Sequence, residues 1–168
     1  TEMGGKSLVK WFDCHYTRHL EERGLLDQYR ERLERLGTGH TEPLPFDAED
    51  SMDGVIGRHA RAWLQRYEED QPFFLHASFC NPHFPYDPVP EYAGRYRPEE
   101  MPPPVGVDDP ERIRAHQVAR ARYCGLIEQC DEEVGRLLQV LDRRGMTENT
   151  VVVFGSDHGD MMGYRDRR

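Results

Sequence analysis

The sequence predicts an α/β chain centred on a β-loop-α-β unit of a parallel sheet. Three stretches imply it. Phe73 to Phe79 (FFLHASF) is short, apolar and aromatic, and lies between Pro72 and Asn81-Pro82, as expected of a buried strand. Glu111 to Arg144 has helical periodicity, with Tyr123, Ile127, Cys130, Val134, Leu137, Leu138 and Leu141 forming an apolar stripe. Thr150 to Phe154 then gives an unbroken Val-Val-Val-Phe run suited to burial on both faces of a sheet.

The elements before this unit are helical. His19 to Leu36 places Leu25, Leu26, Tyr29, Leu33 and Leu36 at helical spacing, which predicts an amphipathic helix, broken or started near Gly24 and stopped at Gly37. Gly37 to Asp50, with Pro43 and Pro45, reads as loop. A second helix begins after Ser51 or Asp53, carries Val55, Ile56, His59, Ala60, Trp63, Leu64 and Tyr67 on one side, and runs to about Glu69. Nine of the twelve prolines fall between Pro82 and Pro110, a density that predicts a functional loop or a linker without regular structure. The expected organisation is therefore 1–72 mainly helical, 73–83 strand and Asn-Pro-His loop, 84–110 proline-rich loop, 111–145 long helix, and 150–163 strand and polar turn.

Composition narrows the function. A length of 168 residues fits one domain, but 37% hydrophobic and 32% charged residues make the chain polar for a self-contained fold. Either the helices carry wide solvated faces or the chain is part of something larger. A net charge of −9 argues against a general nucleic-acid or anionic-membrane binder. No apolar run approaches the roughly 20 residues needed to span a bilayer, and TEMGGKSLVKW lacks the apolar core of a secretory signal. Cys14, Cys80, Cys124 and Cys130 form no C-x-x-C pair, so reduced thiols and a cytoplasmic location are expected.

In a parallel β-loop-α-β unit both strands end at the same sheet edge, where ligands of open α/β sheets bind. The first strand would deliver Asn81-Pro82-His83 there, and the second Ser156-Asp157-His158-Gly159. Asp157 offers a hard oxygen and His158 a borderline nitrogen, a pair suited to Ca²⁺, Mn²⁺ or Zn²⁺ according to the other ligands. Asp-His-Gly after a strand is also an ordinary turn or helix N-cap. His83, stiffened by the prolines of NPHFPYDP, could neutralise a sulfuryl or phosphoryl oxygen or protonate a leaving group; it could equally be a solvated loop residue.

Other groups offer less. Cys14-His15-Tyr16-Thr17-Arg18 has a cysteine followed four residues later by arginine, but no strand or glycine-rich cradle precedes it. His15 and His19 stand one helical turn apart without an evident third ligand. His40, His59, His76 and His116 read as structural or surface residues.

With these segments placed, the chain resembles a sulfatase of the alkaline phosphatase superfamily, near its arylsulfatase and phosphonate monoester hydrolase branch. PFFLHASFCNPHFPY, YCGLIEQCDEEVGRLLQVLDRRGMTENT and VVVFGSDHGDMMG carry the resemblance, in that order, over about the C-terminal hundred residues. It implies an alkaline phosphatase-like α/β/α sandwich with a mostly parallel central sheet. It further implies that Asp157 and His158 ligate a divalent metal, Ca²⁺ or Mn²⁺, and that His83 contacts the sulfate or phosphonate group near the leaving oxygen. Tyr123 matches a structural element packed beneath the sheet. The implied substrate is a small-molecule sulfate or phosphonate ester.

The departures are specific. Family members carry an N-terminal acidic pair for the same metal and a C-x-[P/A]-x-R motif whose cysteine or serine becomes formylglycine. CHYTR lacks the small or proline third residue and lies only about 70 residues before NPH, and no lysine follows SDHG. The expectation is an internal piece of a longer sulfatase, inactive alone, with phosphonate monoester or phosphodiester hydrolysis as the alternative chemistry. A noncatalytic module using the helix from Glu111 to Arg144 as an interaction surface is the alternative of another class. Oligomeric state is not legible.

Overall fold

A computed structural model describes residues 13–37, 40–68 and 71–166. Helix α1, His15–Glu22, starts where the Thr17 hydroxyl accepts the Cys14 amide at 3.0 Å. It stops at Gly24, whose φ of +69° suits a residue without a Cβ, and the Leu25 amide turns back to the Leu20 carbonyl at 2.7 Å. Helix α2, Leu26–Leu36, follows at once. The periodic stretch from His19 is thus two helices, with the break at the expected glycine.

Helix α3, Met52–Arg66, is capped by Ser51, whose hydroxyl accepts the Gly54 amide at 3.1 Å. It ends at Arg66, short of the expected end near Glu69, because Tyr67 turns extended. Helix α4, Pro90–Ala93, is one turn. Helix α5, Pro110–Arg143, has 34 residues, a length of about 50 Å. Asp109 caps it by accepting the Glu111 and Arg112 amides, and Pro110 occupies the first turn, where an amide is not needed.

Packing follows the apolar faces. α3 lies along α5, and α4 also packs on α5. One core joins α1 and α2 to the start of α3 and to α4 through Leu20, Tyr29, Leu33, Phe46, Val89 and Tyr92. Leu20 is completely buried, worth about 1.5–3 kcal/mol relative to exposure. A second core gathers Leu64, Val140 and Leu141 against Phe73, Leu75 and Leu137. Between them Gln129 donates to the Ser51 hydroxyl at 2.7 Å, and buried Glu133 pairs with Arg61 and Arg136, so the polar groups at the α3–α5 seam are satisfied.

Two expectations need correction. The proline-rich segment is not devoid of regular structure, since Pro90–Ala93 and Pro98–Glu100 form helical turns. Proline at a first helical position loses no intrahelical hydrogen bond and is already set near helical φ. The two predicted strands, by contrast, form no ladder among the described residues. Phe73, Leu75, Ala77 and Phe79 are half-buried while Phe74, His76 and Ser78 are exposed, a period of two in which one face rests on the helices. Val151 to Phe154 is exposed throughout. A helix bonds its backbone internally, whereas a strand must find its partners on a neighbour, and neither segment has one among the described residues.

Candidate active site

The loop after residues 73–79 is fixed at both ends by buried charge. Asp53, in the first turn of α3, is 1% exposed and accepts the Cys80 amide at 2.8 Å on one carboxylate oxygen and the Asn81 amide at 3.0 Å on the other. Six residues after Asn81, buried Asp87 pairs with buried Arg32 of α2 at 3.4 Å, and the Leu44 amide donates to the Pro88 carbonyl. His83 lies between these anchors. Its Nδ1 is 2.6 Å from the Phe84 carbonyl, which can only accept, so Nδ1 carries a proton and Nε2 points away from that bond. The ring stacks on Phe84 at 4.6 Å.

The second polar segment is a tight turn on the exposed side of the molecule. Asp157 accepts the His158 amide at 2.9 Å, and the Ser156 hydroxyl donates to the His158 carbonyl at 2.6 Å. His158 Nδ1 is 3.1 Å from the Gly159 carbonyl, so this nitrogen too donates, leaving Nε2 as the lone-pair donor in the neutral ring. That bond and then the Asp157 charge raise the His158 pKa. Nε2 stands 3.8 Å from Asp157 Oδ2, and both side chains are open to solvent. One carboxylate oxygen and one imidazole nitrogen at that separation can bind a single divalent ion, because two ligands about 2.2 Å from a metal lie roughly 3–4 Å apart.

A direct link joins loop and turn. Tyr86, three residues after His83 and buried, donates its hydroxyl to Asp160 Oδ2 at 2.7 Å. Asp160 follows His158 by two residues. Tyr123 of α5 meets Tyr86 edge-on at 5.7 Å, and its hydroxyl lies against the Asp160 backbone amide; burial, then the Asp160 charge, pushes its pKa up. Beyond the turn, Arg120 of α5 donates to the Met162 carbonyl at 2.8 Å and also to the Pro102 carbonyl. Gly163, at φ +87°, sits where a Cβ would come within 2.6 Å of the His116 ring, so the chain can lie this close to α5 only with glycine. The loop bearing His83 and the turn bearing Asp157 and His158 are thus joined through Tyr86 and Asp160, and the chain just after the turn is clasped to α5.

Sequence reasoning singled out His83, Asp157 and His158 but passed over Asp53, Tyr86 and Asp160. Tyr86 and Asp160 each stand three residues beyond a chosen residue, in NPHFPY and DHGD. Asp53 reads locally as an acidic residue at a helix start, which conceals its bonds to amides 27 and 28 residues away.

The other candidates are occupied elsewhere. Arg18 does not turn to Cys14 but pairs with Asp13 at 2.6 Å, and Cys14 caps α1. His19 binds Asp50 at 2.7 Å. Asp47, Glu49 and Asp50 form an acidic cluster, but Asp50 is already balanced by His19 and Arg23. A cleft of about 490 Å³ lined by Phe46, Glu49, Arg61, Val89, Glu91 and Arg136 shares no residue with the loop or the turn. The four cysteines are free thiols, and burial pushes that of Cys130 up to about 12. Among the described residues no helix is long and apolar enough to cross a membrane.

The chain is similar to several known proteins. The chain is 36% identical over 119 residues to an arylsulfatase of Clostridium perfringens, a match covering 60% of this chain and 25% of that protein. It is also 36% identical over 116 residues to an ulvan-active sulfatase of Formosa agariphila, covering 68% of this chain and 22% of that protein. The chain therefore spans about a quarter of the length of these relatives. Its fold is similar to that of a phosphonate monoester hydrolase from Silicibacter pomeroyi, with a TM-score of 0.69 and 21% identity over 89% of this chain and 37% of that one. The family model described as Sulfatase matches residues 11–168, and the chain belongs to the sulfatase family of the alkaline phosphatase superfamily.

Proposed function

We propose that the complete enzyme containing this chain hydrolyses small-molecule sulfate esters by a metal-dependent, formylglycine-type mechanism. The donor set of the turn carries the proposal: His158 Nδ1 is committed to the Gly159 carbonyl, so Nε2 and Asp157 Oδ2 remain to hold one Ca²⁺ or Mn²⁺. Such an ion would supply Lewis-acid stabilisation of negative charge on the nucleophile and the ester oxygens. The nucleophile and the other metal ligands are assigned to parts of the enzyme outside this chain. In that enzyme residues 73–79 and 150–154 would join the central sheet, which their exposed apolar side chains support. The free thiols fit a cytoplasmic setting.

His83 is the acid in this scheme. A formylglycine hydrate in the rest of the enzyme would supply the nucleophilic hydroxyl, and as the bond from sulfur to the leaving oxygen breaks, protonated His83 would give that oxygen its proton from Nε2. Asp53 and Arg32 hold the loop at either side of His83, which keeps the imidazole in place.

Likeness in fold to a phosphonate monoester hydrolase supports a second reading, hydrolysis of phosphonate monoesters or phosphodiesters. A sulfate monoester and a phosphonate monoester each present one negative charge on a tetrahedral centre, so His83 and the turn would serve either. The test is expression of the complete reading frame, with mass spectrometry for formylglycine and paired assays on an aryl sulfate and an aryl phosphonate monoester. Formylglycine with faster sulfate release is the expected result. A frame without C-x-[P/A]-x-R or its serine equivalent would exclude formylglycine chemistry.

A further inference from the structure

We propose that Tyr86 and Asp160 are a positioning pair that fixes the Asp157-His158 turn against the His83 loop and so sets metal affinity, a step that rests on the metal role given to that turn. The hydroxyl of Tyr86 reaches Asp160 at 2.7 Å across 74 residues of sequence. Tyr86 is 6% exposed, so its ring is buried, whereas Asp157 and His158 are open to solvent and, among the described residues, make bonds internal to the turn alone. Bonds of that kind shape the turn but do not locate it.

Location must come from contacts to the body of the protein, and two converge on Asp160. Tyr86 holds its carboxylate, and Tyr123 of α5 lies against its backbone amide. The Tyr123 hydroxyl also lies 3.9 Å from where a Gly159 Cβ would stand, so α5 backs the turn directly behind the proposed ligands. Asp160 itself joins no group of three metal-binding side chains among the described residues, and one of its oxygens is taken by Tyr86. It therefore acts through the turn, and a shift of the backbone there would move Asp157 and His158 together.

The experiment measures Mn²⁺ affinity of the complete enzyme by electron paramagnetic resonance, and amide hydrogen exchange of residues 156–160 in the metal-free protein. Tyr86→Phe removes only the hydroxyl, and Asp160→Ala removes only its acceptor. Each is expected to weaken Mn²⁺ binding by about tenfold, the lower range for partners that orient metal ligands, and to speed exchange in the turn. The double variant should be no weaker than either single one, because both delete the same bond. Asp160→Asn, which keeps an acceptor oxygen, should recover most of the affinity.

Three results would overturn the pairing. Unchanged affinity and exchange in Tyr86→Phe is one, and additive losses in the double variant are another. The third is an Asp160→Asn loss far larger than that of Tyr86→Phe, which would make Asp160 a ligand itself. If the unaltered enzyme binds no Mn²⁺, or Asp157→Ala binds it equally well, the metal role of the turn fails; exchange in Tyr86→Phe then decides the clasp alone.

Discussion

Val89 is 1% exposed, yet Val151 and Val153, the same residue type, are 90% and 88% exposed. The first belongs to the core shared by α1, α2 and α4; the others lie in the run before the Asp157-His158 turn. Leu20 and Phe74 repeat the difference at 0% and 92%. Hydrophobicity does not distinguish these positions. The helices close their own backbone hydrogen bonds and need only apolar contacts, which α3, α4 and α5 provide, whereas the extended runs need both a ladder and a cover. One part of the chain is internally complete, and the edge bearing the polar turn is left open.

The largest expected effect therefore lies in the helical core. Leu20→Ala should cost about 2–5 kcal/mol, the range for a fully buried leucine that leaves a cavity. Against a typical total of about 5–15 kcal/mol this is a major loss, read as a lower urea midpoint at constant slope. A cost under about 1 kcal/mol would mean that α1 is not part of the cooperative core.

Asp53→Asn comes next. The carboxylate serves the Cys80 amide with one oxygen and the Asn81 amide with the other, but asparagine has a single acceptor. One amide would face an NH₂ group, at about 1–3 kcal/mol. The loop bearing His83 would loosen with it, visible as faster exchange at Cys80 or Asn81 while the amides of α1 stay protected.

Acid stability should depend on Asp50. Burial raises its pKa, but hydrogen bonds from Arg23 and His19 outweigh burial, and the carboxyl lies below the usual aspartate range. The folded state thus binds this proton less readily than the unfolded chain. Its contribution is complete above the unfolded value of about 3.9 and is lost as pH falls through the lower folded value. Asp50→Asn should flatten that part of the stability–pH curve, and an unchanged slope in urea titrations from pH 5 to pH 3 would reject the assignment.

These effects also show what the sequence could disclose. Helices were legible because their signals are local: leucines at three- and four-residue spacing, Ser51 as a cap, Gly24 as a break. His83, Asp157 and His158 stood out because their residue types name a chemistry at short range. Asp53 and the Tyr86–Asp160 pair did not, since their meaning depends on partners 27, 28 and 74 residues away. The predicted strands show the same limit from the other side. Their composition suits a sheet, and residues 73–79 keep a two-residue burial rhythm, but pairing is a property of two segments and neither spells out the other.

The smallest expected effect is at the open edge. Val153 is 88% exposed, so Val153→Ala in this chain removes little apolar contact and should change stability by no more than about 0.5 kcal/mol. Leu20→Ala and Val153→Ala, measured side by side in urea, turn the contrast between the two regions into a ratio. A cost above about 1.5 kcal/mol at Val153 would mean that something covers the run in solution, and sedimentation would show whether a second copy does so. In the complete enzyme, where the same run is proposed to enter the sheet, Val153→Ala should cost about 1–3 kcal/mol, the range for a buried valine losing its branched methyls. A substitution silent in the chain and costly in the enzyme would mark these residues as strand by consequence of their neighbours, while Leu20 should be costly in both.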